Sequence, residues 1–371
     1  MSENFGVKYR PNNLDEIFGH TTTIKDIKKH FAENSIPDVV LISGYPGTGK
    51  TTLLRIIAKA ASCLDKDGKG NPCNKCEICT TIDSGKMSYI FFEKNASDIQ
   101  IDNAREIKEM VERKPFGKYN KRIFIIDEIQ EFSKNKAALN DLLKILEKTY
   151  SNAHFLFATS DMTKVPITIK RRSLFYKLNS LSFQDITRYL EYICKSENVK
   201  IDNVEKANTL IAIAQNSNGS MGLAANYLMR VIYSELWNKD ELLKELDIIS
   251  DTDAIVIINY ILEGNVKAFE YKIDEEVLKK IKYLLMLYYK KINGVELNGW
   301  QLGQVKEIVC DDKNKIFIIL EKLNELSNYP YIYPDLIEFY VLCAINKIKS
   351  HIQQNNFTDN INEKPRRVKQ Q

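Results

Sequence analysis

The run Gly44-Tyr45-Pro46-Gly47-Thr48-Gly49-Lys50-Thr51 combines glycines, a lysine and a hydroxyl at the spacing a phosphate-binding loop requires. Glycines let the backbone close around an anion with its N–H groups turned inward. Lys50 brings a point charge to the β- and γ-phosphates, and the Thr51 hydroxyl is a Mg²⁺ ligand type. The context is the one this chemistry needs. Val39-Val40-Leu41-Ile42 reads as a strand before the loop, and Thr52–Ala61 as a helix after it whose N-terminus holds phosphate. Gly44, Gly47, Thr48, Gly49, Lys50, Thr51 and Thr52 are therefore the expected contacts to ATP and Mg²⁺. The plain alternative is a glycine-rich turn.

A second constellation closes Ile123-Phe124-Ile125-Ile126-Asp127-Glu128. A buried strand ending in two acids exposes them at its C-terminal edge, where a parallel sheet binds its ligand. Asp127 is expected to hold Mg²⁺ through water, and Glu128 to orient and polarise the attacking water. Two acids closing a turn are the bland reading.

Cys63, Cys73, Cys76 and Cys79 stand with nine, two and two residues between them. That spacing suits a closed tetrahedral thiolate site, which is structural zinc chemistry. An iron–sulfur cluster uses similar spacing and stays open, as do free thiols. Cys194, Cys310 and Cys343 lie singly in apolar stretches and read as small core residues. Four clustered cysteines without an export signal point to a reducing compartment, so a cytoplasmic location is expected.

The elements around these residues change character along the chain. The runs 39–42, 89–92, 123–126 and 155–158 are short and continuously apolar, as strands buried on both faces are. Helical patterns lie between them, and Leu139, Leu142, Leu143 and Leu146 form one helical stripe. The first part is thus expected to be α/β, a parallel sheet with helices on both faces. After about Leu178 only amphipathic helices follow, broken at Asn216–Gly219, Gly264-Asn265, Asn293-Gly294 and Asn328–Pro334. This gives an ATPase domain over 1–177 with the cysteine insertion at 63–79, an all-α segment 178–240, an all-α domain 241–353 and a disordered basic tail 354–371. The 371 residues carry 53 Lys and Arg against 49 Asp and Glu, a net charge of +4, too small for a dedicated DNA-coating protein. No apolar run approaches the ~18 residues of a membrane span.

Together these residues resemble the bacterial clamp-loader ATPase, the gamma/tau subunit of DNA polymerase III, within the AAA+ class, as a divergent or viral member. Lys8-Tyr9-Arg10-Pro11 with Glu16-Ile17-Phe18-Gly19-His20 is similar to that family's adenine-pocket motif, which implies nucleotide contacts for Tyr9, Arg10 and Pro11, with His20 nearby. His30, His154 and His351 are expected to have no chemical role. The cysteine insertion after the phosphate-loop helix is a mark of the family. Asp127-Glu128-Ile129-Gln130 stands at its Asp-Glu-x-His stretch, with glutamine in place of histidine. Asn140–Glu147 resembles the helix beyond, without the usual proline pair. Ala158-Thr159-Ser160-Asp161 resembles the sensor strand end, which places Ser160 or Thr159 near the γ-phosphate. Arg172 falls at the arginine-finger position, with Arg171 adjacent.

Gly222 stands where motor subunits carry a lid arginine. Either Arg230 or a partner's residue substitutes for it, or nucleotide is only weakly coupled to the lid. Arg230 lies about 12 Å further along the helix, which favours the weak coupling. Tyr329–Asp335 resembles the start of the last collar helix. The resemblance implies a lid over 178–240, an oligomerising collar over 241–353 and a pentameric ring of clamp-loader subunits. Its partners would be the sliding clamp and primer–template DNA, with Lys134 and Lys136 either along the DNA path or on a solvated face. Two rivals remain: an ATP-binding scaffold with little hydrolysis, and a zinc-containing DNA-binding adaptor.

Overall fold

Five strands, β1 (Val39–Gly44), β2 (Phe91–Asn95), β3 (Arg122–Asp127), β4 (Ala153–Thr159) and β5 (Leu174–Leu178), form one sheet in the order β2-β3-β4-β1-β5. Every neighbouring pair is parallel. The chain therefore returns through helices: α3 (Lys50–Ser62) and α4 (Glu77–Ser84) between β1 and β2, α5 (Ile101–Glu112) before β3, α6 (Lys136–Glu147) before β4 and α7 (Ile167–Arg172) before β5. Two short helices, α1 (Phe5–Lys8) and α2 (Thr21–Ala32), precede the sheet. The computed structural model describes residues 4–362 apart from 116–118, 120, 149–151, 247, 298–301, 303, 311 and 327–333.

The apolar runs sort their side chains by parity, as strands must. Ile123 and Ile125 join Val40, Ile42, Leu54 and Ile57 in one core, on the α3 face. Phe124 and Ile126 join Leu41, Phe155, Phe157, Ile107 and Leu142 in the other, on the α5 and α6 face. Phe124 and Phe155 stack with ring centroids 4.9 Å apart. Covering both faces requires runs without alternation, which is why the first four strands stand out in the sequence. The fifth did not. β5 alternates exposed and buried residues because only one of its faces is covered. At β2, Tyr89 and Ile90 fall outside the strand that the apolar run suggested.

The order puts β4 between β1, which carries the phosphate loop, and β3, which carries the two acids. Because the strands run parallel, the loop and the two acids leave the sheet at the same edge. Helices α8 (Phe183–Ser196), α9 (Val204–Asn216) and α10 (Met221–Ser234) belong to the same compact unit, Met1–Lys239. Ser182, Asn203 and Ser220 cap their first turns, each side chain accepting a backbone N–H.

The second unit, Asp240–Gln371, is helical among its described residues. Helix α11 (Lys239–Glu245) begins at the boundary, followed by α12 (Asp251–Leu262), α13 (Glu275–Ile292), α14 (Lys313–Leu326) and α15 (Pro334–Asn362). The last four share one core that includes Ile258, Ile261, Leu284, Leu285, Ile316, Leu323, Ile345 and Ile348. Two sequence expectations meet limits here. Residues 329–333 of the aromatic segment lie outside the described residues. The backbone stays helical to Asn362, where disorder was expected from 354, because no proline or glycine interrupts α15. Among the described residues no helix is long and apolar enough to cross a membrane.

Candidate functional site

The phosphate loop joins β1 to α3 and borders a cavity of about 320 Å³. Gly47 and Gly49 hold left-handed backbone angles, φ +76° and +93°. At Gly47 a side chain is excluded twice over, since a Cβ there would come within 2.0 Å of Ser220 Oγ, the cap of α10. Pro46 through Leu53 line the cavity. Gly44 does not, but it lies where β1 passes Leu178, whose carbonyl would stand 2.7 Å from an added Cβ.

Lys50 is buried, with Nζ 3.3 Å from Tyr45 O and 3.5 Å from Glu128 Oε1. The Thr51 hydroxyl donates to Asp127 Oδ2. The proposed Mg²⁺ ligands thus meet although 76 positions separate them in the chain. Asp127 ends β3, and its Oδ1 accepts the Glu128 N–H at 2.8 Å. Glu128 lines the cavity with backbone angles φ 48° and ψ 51°.

Glu128 Oε2 accepts from the Gln130 amide, from Ser160 Oγ at 2.8 Å and from Ser160 N at 3.2 Å. Burial alone would raise this carboxyl, but the hydrogen bonds from Gln130 and Ser160 and the charge of Lys50 outweigh it. The group rests below the usual carboxylate range. Ser160 is exposed at the end of β4, whereas Thr159 is buried, its hydroxyl given to Gln130 Oε1 at 2.7 Å. Of the two sensor candidates, Ser160 is the one beside Glu128.

The far wall of the cavity comes from Arg10, Pro11, Ile17, Phe18, His20, Leu178, Leu181, Tyr189, Met221 and Gly222. His20 Nε2 lies 3.1 Å from Thr48 O, which can only accept, so that nitrogen carries the proton. Burial holds the His20 ring below the ordinary imidazole value. Tyr9 departs from expectation. It turns from the cavity, giving its hydroxyl to Glu197 Oε1 at 2.6 Å and packing edge-on against Phe5 and Tyr192. That pins the N-terminal segment to α8. Tyr189, Leu178, Leu181 and Met221 carried no sequence signal, being ordinary apolar helix and strand positions until the fold brings them to the cavity.

Arg172 Nη1 donates to Leu146 O at 2.6 Å and so caps the last turn of α6. Neighbouring Arg171 is exposed and makes no hydrogen bond or ion pair among the described residues.

The four cysteine sulfurs lie within 4.8 Å of one another. Cys63 and Cys76 sulfurs are 3.9 Å apart, and those of Cys76 and Cys79 3.5 Å. Zinc–sulfur bonds of about 2.3 Å in a tetrahedron place sulfurs about 3.8 Å apart, so the four residues fit that ion. The N–H groups of Lys75 and Cys76 point at Cys73 Sγ from 3.4 and 3.3 Å. The Lys75 bond leads in drawing this thiol down to about 7. Burial pushes Cys79 up. Cys63 and Cys79 are part of the same core as α3. The buried Lys59, which the sequence did not single out, ties the region together. Its Nζ reaches Asn74 Oδ1 at 2.8 Å, Asp83 Oδ1 at 2.9 Å and Asn12 Oδ1 at 3.3 Å.

Comparison with known proteins decides the family. A family model described as DNA polymerase III, delta subunit, matches residues 19–182. DNA polymerase III subunit gamma of Buchnera aphidicola subsp. Schizaphis graminum is 32% identical over 95% of this chain and 88% of its own length. The chain belongs to the DNA polymerase III gamma-subunit family. The gamma/tau subunit of Mycoplasma genitalium is 28% identical over 98% of this chain and 60% of its own. Among solved structures, the Holliday junction branch migration motor RuvB of Thermotoga maritima aligns with a TM-score of 0.47 at 17% identity, over 75% of this chain and 85% of that one. The gamma-family assignment covers the phosphate loop, the two acids and the cysteine cluster alike.

Proposed function

We propose that this gamma-family chain is the ATP-hydrolysing subunit of a clamp loader, which uses ATP to open a sliding clamp and load it on primer–template DNA. The observation that carries the reading is the meeting of Thr51 with Asp127, and of Lys50 with Glu128, at the mouth of one cavity. Lys50 holds the β- and γ-phosphates, with the loop N–H groups around them. Thr51 and Asp127 would hold Mg²⁺, which would neutralise phosphate charge when bound. Glu128 takes a proton from the water that attacks the γ-phosphorus, while the bond to the β–γ bridging oxygen breaks and its electrons stay on ADP. Ser160 stands beside Glu128 on the γ-phosphate side.

Residues 178–240 act as a lid, 241–353 as the collar that joins the subunits of a pentameric ring, and Cys63, Cys73, Cys76 and Cys79 hold one structural zinc. The arginine supplied to a neighbouring subunit comes from the pair at the end of α7. Arg172 is engaged at Leu146 in its own chain, which favours Arg171 as the residue delivered across the interface. Gly222 lines the cavity without a charge, which supports a second feature: turnover stays low until clamp and DNA order the ring.

The test is ATP turnover by the purified chain, alone and with its partner subunits, clamp and primed DNA. Strong stimulation by clamp and DNA is expected. Fast, unstimulated turnover by the chain alone would refute the weakened lid coupling. Nucleotide binding without turnover under any condition would leave the scaffold reading standing instead.

A further inference from the structure

We infer that Gln130 is the positioning residue for Glu128, fixing the rotamer of its carboxylate against the end of β4 through an amide whose two ends are both engaged. Gln130 is 7% exposed, on the 3-10 turn Ile129–Lys134 that follows the two acids. Its Oε1 accepts the Thr159 hydroxyl at 2.7 Å. Its Nε2 donates to Glu128 Oε2 and to Ser160 Oγ, the latter at 2.8 Å. The amide cannot be turned over without placing its oxygen against the carboxylate, so one orientation is enforced.

The consequence lies in what is left on Glu128. Oε2 already receives three donors, and its acceptor capacity is taken. Oε1, 3.5 Å from Lys50 Nζ, is the oxygen left to receive a proton from water. The amide thereby selects which oxygen works and aims it toward the phosphate-loop lysine. A non-glycine residue at φ 48° is strained and persists only where its surroundings over-determine it. The bonds from β4 supply that determination. The charged groups around this carboxylate are Lys50 from α3 and Asp127 from β3. Asp161 of the β4 end turns instead to Thr163 and Lys164.

Gln130 is buried and does not line the cavity, whereas Glu128 does, so the role of Gln130 runs through Glu128. The inference rests on Glu128 being the group that activates water. The experiment separates the two ideas.

Gln130→Glu is nearly isosteric and keeps an oxygen for Thr159, but it replaces the donor facing Glu128 with a second carboxylate. Full-chain variants are compared for ATP affinity with a fluorescent ATP analogue and for kcat across pH 6–9. ATP affinity is expected to stay within about twofold of the parent. At pH 8 kcat falls about tenfold or more, and the ratio of variant to parent kcat climbs as pH falls, because the acid pair then shares a proton that restores a donor to Glu128. Gln130→His, which keeps an N–H donor, recovers most of the rate. A parent-like kcat at pH 8, a ratio flat with pH, or a loss of ATP affinity that accounts for the lost kcat/KM would each overturn the inference. Glu128→Gln is run beside them. If it keeps full turnover, the role of Glu128 itself fails. If it is inactive while Gln130→Glu behaves as the parent, only the role of Gln130 fails.

Discussion

The phosphate site and the cysteine cluster lie in the same compact unit but are assembled in opposite ways. The cysteine cluster draws its four ligands from residues 63–79, a stretch that begins as α3 ends and runs into α4. The phosphate site draws on the ends of β1, β3 and β4, the start of α10 and the segment Arg10–His20. A site made from one short segment depends on local turns and on a bound ion. A site made from several strand ends depends on the whole sheet and exists only once strand order is fixed. Damage to the first should therefore act mainly through stability, and damage to the second mainly through chemistry.

The largest effect on nucleotide binding is expected at Lys50. Lys50→Ala removes the buried lysine of the loop and should weaken ATP binding roughly 100-fold or more, read by titration with a fluorescent nucleotide. If affinity survives, the loop does not hold phosphate as described.

Glu128→Gln should keep nucleotide affinity and lose turnover by roughly 10²- to 10⁴-fold, since a general base acts on the transition state alone. Its pH behaviour follows from its depressed value. The charged form, and the stability it contributes, are present above the ordinary glutamate value of about 4.3 and vanish only as pH falls through the lower folded value. Between pH 8 and 5, turnover should show no loss assignable to Glu128. A titration of activity near pH 6 that Glu128→Gln abolishes would contradict this.

The cysteine cluster should respond in stability. Cys79→Ser, at a buried ligand, is expected to lose the metal by elemental analysis and to destabilise the first unit by on the order of 3–5 kcal/mol in urea unfolding. Nucleotide affinity of the folded fraction should change less than about threefold. A larger change would mean that the contrast is too sharp and that Lys59, which bridges Asn74 and Asn12, carries metal occupancy into the cavity. Iron in place of zinc would sink the zinc assignment.

The smallest effect is expected at Gly222. Nothing lies within 4 Å of a Cβ built there, and its backbone needs no glycine. Gly222→Ala should stabilise α10 by about 0.5–1 kcal/mol. Gly222→Arg should add a charge at the cavity wall and tighten ATP a few-fold. Unchanged affinity would show that this side chain does not reach the phosphates.

The sequence alone determined what depends on neighbours in the chain. The glycine spacing of the loop, the four-cysteine pattern and the apolar runs of β1 to β4 each follow from backbone angles, ligand reach or two-faced burial, which are local demands. It also placed Asp127 and Glu128 at a strand end, because a buried strand can expose acids only there. What it left undecided is what strand order decides. Inserting β4 between β1 and β3 puts Ser160 rather than Thr159 on Glu128 and makes Gln130 the link between them. The same non-local packing turns Tyr9 away from the nucleotide cavity, engages Arg172 at the end of α6 and brings Tyr189 and Met221 to the cavity wall. The edge strand β5 escaped notice for a related reason. Only a strand covered on both faces must be apolar throughout, and that one face of β5 stays uncovered is a property of the assembled sheet.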